Sequence, residues 1–208
     1  MSLRSGTLRP RLLAFALARF HGRYERLTAE RKKALLGDLH GEVVEIGPGT
    51  GPNLTFYPAD VRWIGIEPNP FMHAHLRAAA EKRGLSVEIR SGTAERIDAS
   101  TQSVDAVVST LVLCSVRDVA AVLEEARRVL KPGGRFVFLE HVAAPRGTML
   151  RRVQRLGRPI VEFLGDGCHL DRETWVFIEQ AGFTKLDLEF LRLPLALNGP
   201  HISGVAWK

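Results

Sequence analysis

The sequence predicts an α/β protein built on a mostly parallel sheet with helices on both faces, and two observations carry that expectation. Short apolar runs alternate with segments of helical spacing from residue 43 to residue 141, the strand–helix–strand order that parallel sheets need. A glycine-rich turn, "VVEIGPGTGPN" at 43–53, follows the first of those runs, as it does where backbone must come close to a ligand.

The elements follow in order. From Arg9 to Leu36 the residues Leu12, Leu13, Phe15, Ala16, Phe20, Tyr24 and Leu27 recur near a period of 3.6, with arginines between them, so this stretch reads as an amphipathic helix. Strands are expected at "VVEI" (43–46), "RWIGI" (62–66), "SVEI" (86–89), "VDAVVS" (104–109) and "RFVFLE" (135–140). Helices are expected over Phe71–Arg83 and Val119–Leu130. Beyond Pro145 come a basic helical stretch, Met149–Leu164, a helix over Arg172–Ala181, and two strand-like runs, "TKLDLEFLRL" and "ISGVAW". No repeat or linker interrupts the 208 residues, and one domain is expected: a helical cap over 1–40, a cofactor-binding core over 43–141, and substrate-side helices and strands over 142–208.

Composition narrows the class. At 45% hydrophobic and 25% charged residues the chain has an ordinary folded protein's balance. Cys114 and Cys168 are too few for a disulfide framework and too far apart in sequence for a close-spaced zinc pattern, so no metal is expected and a reducing, cytoplasmic setting fits. The run Leu12–Ala18 is far shorter than the roughly 20 residues of a membrane-spanning helix. A net charge of +6 favours anionic partners in general. Nucleic acid is disfavoured, because the basic residues are not interleaved with aromatics and no binding module is apparent.

The turn itself selects among nucleotide-like ligands. A dinucleotide fingerprint spaces its glycines G-x-G-x-x-G, whereas Gly47, Gly49 and Gly51 give G-P-G-T-G and Pro52 stands where the third glycine belongs. Glu45, just before the loop, would meet a pyrophosphate unfavourably and a cationic group favourably. Glu67, at the end of the second strand, is placed to hold both hydroxyls of a ribose. A ribose, a positive group and no phosphates together describe S-adenosylmethionine.

Five strings, "VVEIGPGTG", "IGIEPNP", "SGTAERI", "SVDAVVSTLVLCSV" and "RRVLKPGGRFVFLEH", resemble the successive motifs of the class I S-adenosylmethionine-dependent methyltransferases. That resemblance implies a Rossmann-like fold with a seven-stranded sheet and an antiparallel carboxyl-terminal strand. It also implies cofactor contacts: Glu45, Gly47, Pro48, Gly49, Gly51 and Asn53 around the methionine part; Glu67, Pro68 and Asn69 at the ribose; and Met72 near the adenine. Gly92, Thr93, Ala94 and Glu95 would border the adenine edge, and Thr110, Leu111 and Leu113 the reacting face. Thr93 stands where the family often carries Asp, which leaves Glu95 or a backbone carbonyl to meet the adenine amino group. "TLVLCSV", "EHVAAP", "GDGCHLDRETW" and "PHISGVAWK" resemble a subgroup that includes membrane-associated thiol S-methyltransferases.

Methyl transfer from a sulfonium is an in-line displacement, so positioning supplies much of the rate. The expected substrate is a small, apolar molecule, a thiol first; a quinone-like lipid, a phospholipid amine, or cofactor binding without turnover are the alternatives. Imidazoles suit proton handling near neutral pH, which makes His141, beside Glu140 at the end of the fifth strand, and His169, beside Cys168 and near Asp166, the catalytic candidates. His201 begins the last strand; a structural role is the plainer reading for each histidine taken alone. Arg146, Arg151, Arg152, Arg155 and Arg158, interleaved with Met149, Leu150, Val153 and Leu156, make an amphipathic helix that suits a substrate lid or an anionic membrane surface, with simple packing on the sheet as the plainer account.

Overall fold

The computed structural model describes residues 22–164 and 167–208. The portion of the first predicted helix before residue 22, including Leu12–Ala18, and Asp166 lie outside the described residues. Among those described, no helix is long and apolar enough to cross a membrane.

Seven strands form one sheet in the order β3-β2-β1-β4-β5-β7-β6. Their ranges are β1 Glu42–Ile46, β2 Arg62–Ile66, β3 Val87–Arg90, β4 Val104–Thr110, β5 Leu130–His141, β6 Lys185–Arg192 and β7 Pro200–Trp207. The first five strands pair in parallel, and β7 runs antiparallel to both β5 and β6. The order turns at β1 and β4, which are neighbours in space, so a crevice opens beyond their carboxyl ends, where doubly wound sheets bind ligands.

The central strands β1, β2 and β4 are buried at nearly every position because both faces are covered. Successive side chains of a strand point to opposite faces, and here they sort into two cores. Val44, Ile64, Val107, Phe136 and Phe138 pack on one side against Val122, Leu123 and Ala126. Val43, Trp63, Ala106, Val108 and Val137 pack on the other against Leu36, Tyr57 and Leu76.

Five helices are described: α1 Gly22–Leu36, α2 Pro70–Arg83, α3 Val119–Val129, α4 Met149–Leu164 and α5 Thr174–Gln180. Asn69 caps α2 by accepting from the Phe71 amide at 3.1 Å, and Gly84 closes it in a left-handed conformation. Asp118 caps α3 through the Ala121 amide. That helix stops at Val129, one residue early, because Leu130 is already extended and begins β5 with the Lys131–Gly134 turn, where the pairing with β4 shifts register. The helix expected over Arg172–Ala181 is shorter, since Glu173 at its start turns its carboxylate to Arg146 and Arg151 rather than capping it.

Helix α4 is fastened by Gln154, which is fully buried. Its side-chain oxygen accepts from the Ala144 amide at 2.7 Å and its nitrogen donates to the Leu197 carbonyl at 2.9 Å. The outer face of α4 carries Met149, Leu156 and Ile160, all exposed, beside Arg152, Arg155 and Arg158.

Candidate active site

One cleft of about 880 Å³ opens at the carboxyl ends of β1, β2, β4 and β5. The glycine turn forms its floor. Gly47, Gly49 and Gly51 all have positive φ, between 56° and 82°, which a side chain disfavours. A Cβ on Gly47 would lie 2.7 Å from Val112 Cγ2, and one on Gly51 would strike Leu76 and Leu54, whereas one on Gly49 would meet nothing within 4 Å. Gly47 and Gly51 are therefore fixed by packing, and Gly49 by its backbone and its open side.

Glu67 joins the turn to the tip of β2. One carboxylate oxygen accepts from the Gly49 amide at 2.9 Å, the other from the Asn69 amide at 2.8 Å, and the residue is 5% exposed. Glu45 behaves differently from what its sequence position suggests. It is buried, and its carboxylate accepts from Asn53 Nδ2 at 2.7 Å, Tyr57 Oη at 2.8 Å and Trp63 Nε1 at 3.1 Å. Burial still raises its pKa above the ordinary carboxylate value. Rather than a bare charge awaiting a cation, Glu45 is the hub that holds the glycine turn to the sheet, with donors at Tyr57 and Trp63 that the sequence reading did not connect to it.

Of the expected cofactor residues, Glu45, Gly47, Pro48, Gly49, Asn53 and Glu67 line the cleft. So do Pro68, Asn69, Met72, Thr93, Ala94 and Glu95, and at the far end Thr110 and Leu111. Gly51, Gly92 and Leu113, also expected there, do not line it. Burial pushes Glu95 upward, but its own amide, the Thr93 hydroxyl and the Arg117 and Asp118 amides bring its pKa below the usual range. It is thus an ionised acceptor at the cleft edge. Leu111 has φ of 57°, a strained conformation for a branched side chain, where the chain turns out of β4 along the cleft wall.

The three catalytic candidates separate. His141 lines the cleft at 3% exposure, and neither ring nitrogen has a hydrogen-bond partner. Glu140 is fully buried and does not line the cleft: it accepts from Ser109 Oγ at 2.6 Å and from the Val112 and Leu113 amides at 3.1 Å. Burial lifts it to a pKa of about 7. Its place is to fold the chain after β4 into a loop, because successive strand residues face opposite ways and His141 takes the cleft side. His169 also stays out of the cleft lining; its amide donates to the Cys114 carbonyl at 2.8 Å, while the adjacent Cys168 side chain faces the cleft.

Cys114, His141 and Cys168 converge on the cleft wall, with Sγ, ring nitrogen and Sγ all within 4.8 Å of one another. Cys114 is buried and Cys168 partly so. Helix α1 also brings Tyr24, Glu25 and Lys32 to the cleft; Lys32 is 1% exposed and donates to both Glu25 oxygens at 2.9 and 2.7 Å. Tyr24 lies tilted at 5.7 Å from the His201 ring, which in turn meets His141 edge-on at 5.9 Å because β5 and β7 pair His141 with His201. Sequence reasoning missed Tyr24 and Lys32 as cleft residues, since a helical period alone does not say which end of the sheet a helix covers.

A family model described as "Methyltransferase domain" matches residues 44–138. Thiol S-methyltransferase TMT1B of Rattus norvegicus is 39% identical over 96% of this chain and 85% of its own length. Thiol S-methyltransferase TMT1A of Homo sapiens is 39% identical over 93% of this chain and 85% of its own. Among solved structures, a SAM-dependent methyltransferase from Aquifex aeolicus superposes with a TM-score of 0.65, covering 95% of this chain and 97% of that one. At 14% identity that likeness speaks for the fold.

Proposed function

The chain belongs to the thiol S-methyltransferase family within the class I methyltransferases, and from that premise we propose that it methylates a small, apolar thiol, using S-adenosylmethionine held in the cleft described above. When bound, that cofactor supplies an electrophilic methyl group on a sulfonium. The residues present fit it: an open face at Gly49, a carboxylate at Glu67 and a cleft of about 880 Å³. In this reading Glu67 holds the ribose hydroxyls, and Met72, Ala94 and Glu95 border the adenine. The backbone of the glycine turn takes the methionine part.

The observation that carries the reading is the continuity of the cleft, which runs from the glycine turn to the wall of Cys114, His141 and Cys168. Thr110 and Leu111, expected at the reacting face, line the cleft next to that wall, with Cys114 Sγ 3.6 Å from the Leu111 carbonyl, so the acceptor's sulfur belongs there. Tyr24, Leu111, Val112 and Val161 add apolar surface to the cleft lining, which favours a small apolar partner. Arg172 steadies the wall by donating to the Leu113 and Val116 carbonyls at 2.6 and 2.7 Å. Labelled cofactor offered with alkyl thiols, amines, phenols and quinols tests the assignment: label in a thioether supports it, and label only in another product class replaces it.

The exposed apolar residues of α4 with their neighbouring arginines support a second element of the reading. The chain works while resting on an anionic membrane surface, from which apolar thiols would partition to the cleft.

A further inference from the structure

Cys114, His141 and Cys168 come from three distant parts of the chain: the loop after β4, the end of β5 and the loop before α5. Their three ligand atoms lie within 4.8 Å of one another. Tetrahedral zinc, with bonds of about 2.3 Å to sulfur and about 2.0 Å to nitrogen, sets ligand atoms about 3.5–3.8 Å apart. The trio needs to draw in by about 1.0–1.3 Å at most. We propose that these three residues hold a thiophilic divalent cation, zinc by its preference for this ligand set, and that the fourth position opens on the cleft to receive the sulfur of the acceptor thiol. The second half of this proposal rests on the thiol reading above; the first half does not.

Two observations support it. His141 is 97% withdrawn from solvent, with both ring nitrogens unpartnered; a buried polar group left so costs about 1–3 kcal/mol, and a metal bond removes that cost at one nitrogen. The scaffold is also fixed before any ion arrives. Glu140 braces the loop of Cys114 through the Val112 and Leu113 amides, the His169 amide ties Cys168's loop to the Cys114 carbonyl, and the Ala143 amide donates to the Arg172 carbonyl.

Three protein ligands with one open position mark a zinc site that does chemistry rather than one that only supports the fold. A divalent ion held there would lower the pKa of a thiol at the open position, so that the thiol would bind as its anion. The S–H bond breaks, its proton passes to water, and a sulfur–metal bond forms, leaving a lone pair on the sulfur for methyl transfer.

The test uses the full chain. As purified, it should carry about one equivalent of zinc, measured by mass spectrometry of the metal. After cobalt(II) exchange it should show thiolate-to-metal charge transfer and intense tetrahedral d–d absorption, and an alkyl thiol should shift both while an amine of equal size does not. Cys168→Ser, at a partly exposed position, should lose the metal yet keep S-adenosylmethionine affinity by calorimetry, which reports an intact fold. Protein that stays metal-free after zinc dialysis, or that joins Cys114 to Cys168 in a disulfide under reducing conditions, overturns the site. Thioether formation undiminished in chelator overturns it too, while leaving the thiol reading intact. Bound cobalt blind to thiols removes the acceptor role, and a thiol-responsive metal with no thioether product keeps the site and sinks the thiol reading.

Discussion

The Glu67 carboxylate accepts the Gly49 amide at 2.9 Å, so the residue expected to hold the ribose also fixes the middle of the glycine turn. Binding and loop geometry are therefore coupled through one side chain. Glu67→Ala should weaken S-adenosylmethionine binding by about tenfold to a hundredfold, the equivalent of about 1.5–3 kcal/mol for a charge-assisted hydrogen bond. Calorimetric titration measures it, and an unchanged Kd would remove Glu67 from the ribose.

Gly49 separates backbone strain from packing. A methyl there meets nothing within 4 Å, yet φ is 58°. Gly49→Ala should cost about 1–2 kcal/mol in stability while reducing cofactor affinity, because the methyl stands where bare backbone is needed. Gly47→Ala, whose added carbon would lie 2.7 Å from Val112 Cγ2, should destabilise more. Equal Tm losses for the two variants would contradict this distinction.

Glu45 gives a pH dependence whose sign is fixed. Burial raises its pKa, with Tyr57, Asn53 and Trp63 hydrogen bonds and the Lys32 charge pulling the other way. A carboxyl whose folded pKa is raised favours the fold below its unfolded value of about 4.3, and that contribution is lost as pH rises through the raised value. The stability of the wild type relative to Glu45→Gln should therefore decline as pH climbs from about 4 toward neutrality. Urea titrations at several pH values measure it, and a flat difference would show that the carboxyl titrates as it does in the unfolded chain.

Gln154 carries no signal in the sequence, yet its side chain is the buried clasp between α4, the end of β5 and the turn at Leu197. Gln154→Leu should cost about 2–4 kcal/mol, since it strands buried backbone groups worth about 1–3 kcal/mol each. Thermal unfolding reads this directly, and a loss below about 0.5 kcal/mol, the ordinary range for a surface change, would contradict it.

The outer face of α4 predicts binding to phosphatidylserine vesicles that weakens as salt rises. Leu156→Asp, at an 81% exposed position, should abolish sedimentation with vesicles and leave stability unchanged. Sedimentation insensitive to both salt and this substitution would remove the membrane from the account.

What the sequence made legible follows from how each half of the cleft is built. The cofactor half lies on one contiguous stretch, where strand tip, glycine turn and Glu67 follow one another and strand periodicity fixes their common edge. The acceptor half is assembled from loops far apart in the chain, so Cys114 and Cys168 read as two unrelated thiols, and Cys168 was paired in sequence with His169 although His141 is its neighbour in space. Glu140 and His141 illustrate the limit at a single step. Adjacent on β5, they divide by the pleat into a buried brace and a cleft residue, and which is which depends on the antiparallel partner β7, whose pairing no local pattern announces.

The most direct measurement is the fate of a labelled methyl group when the full chain is given S-adenosylmethionine and an alkyl thiol beside an amine, a phenol and a quinol of similar size. Label should appear in the thioether and in no other product, and should fall by tenfold or more with Glu67→Ala at subsaturating cofactor. Cofactor bound with every acceptor untouched, or label carried to nitrogen, oxygen or carbon while the thiol stays unmethylated, would contradict the assignment of this cleft.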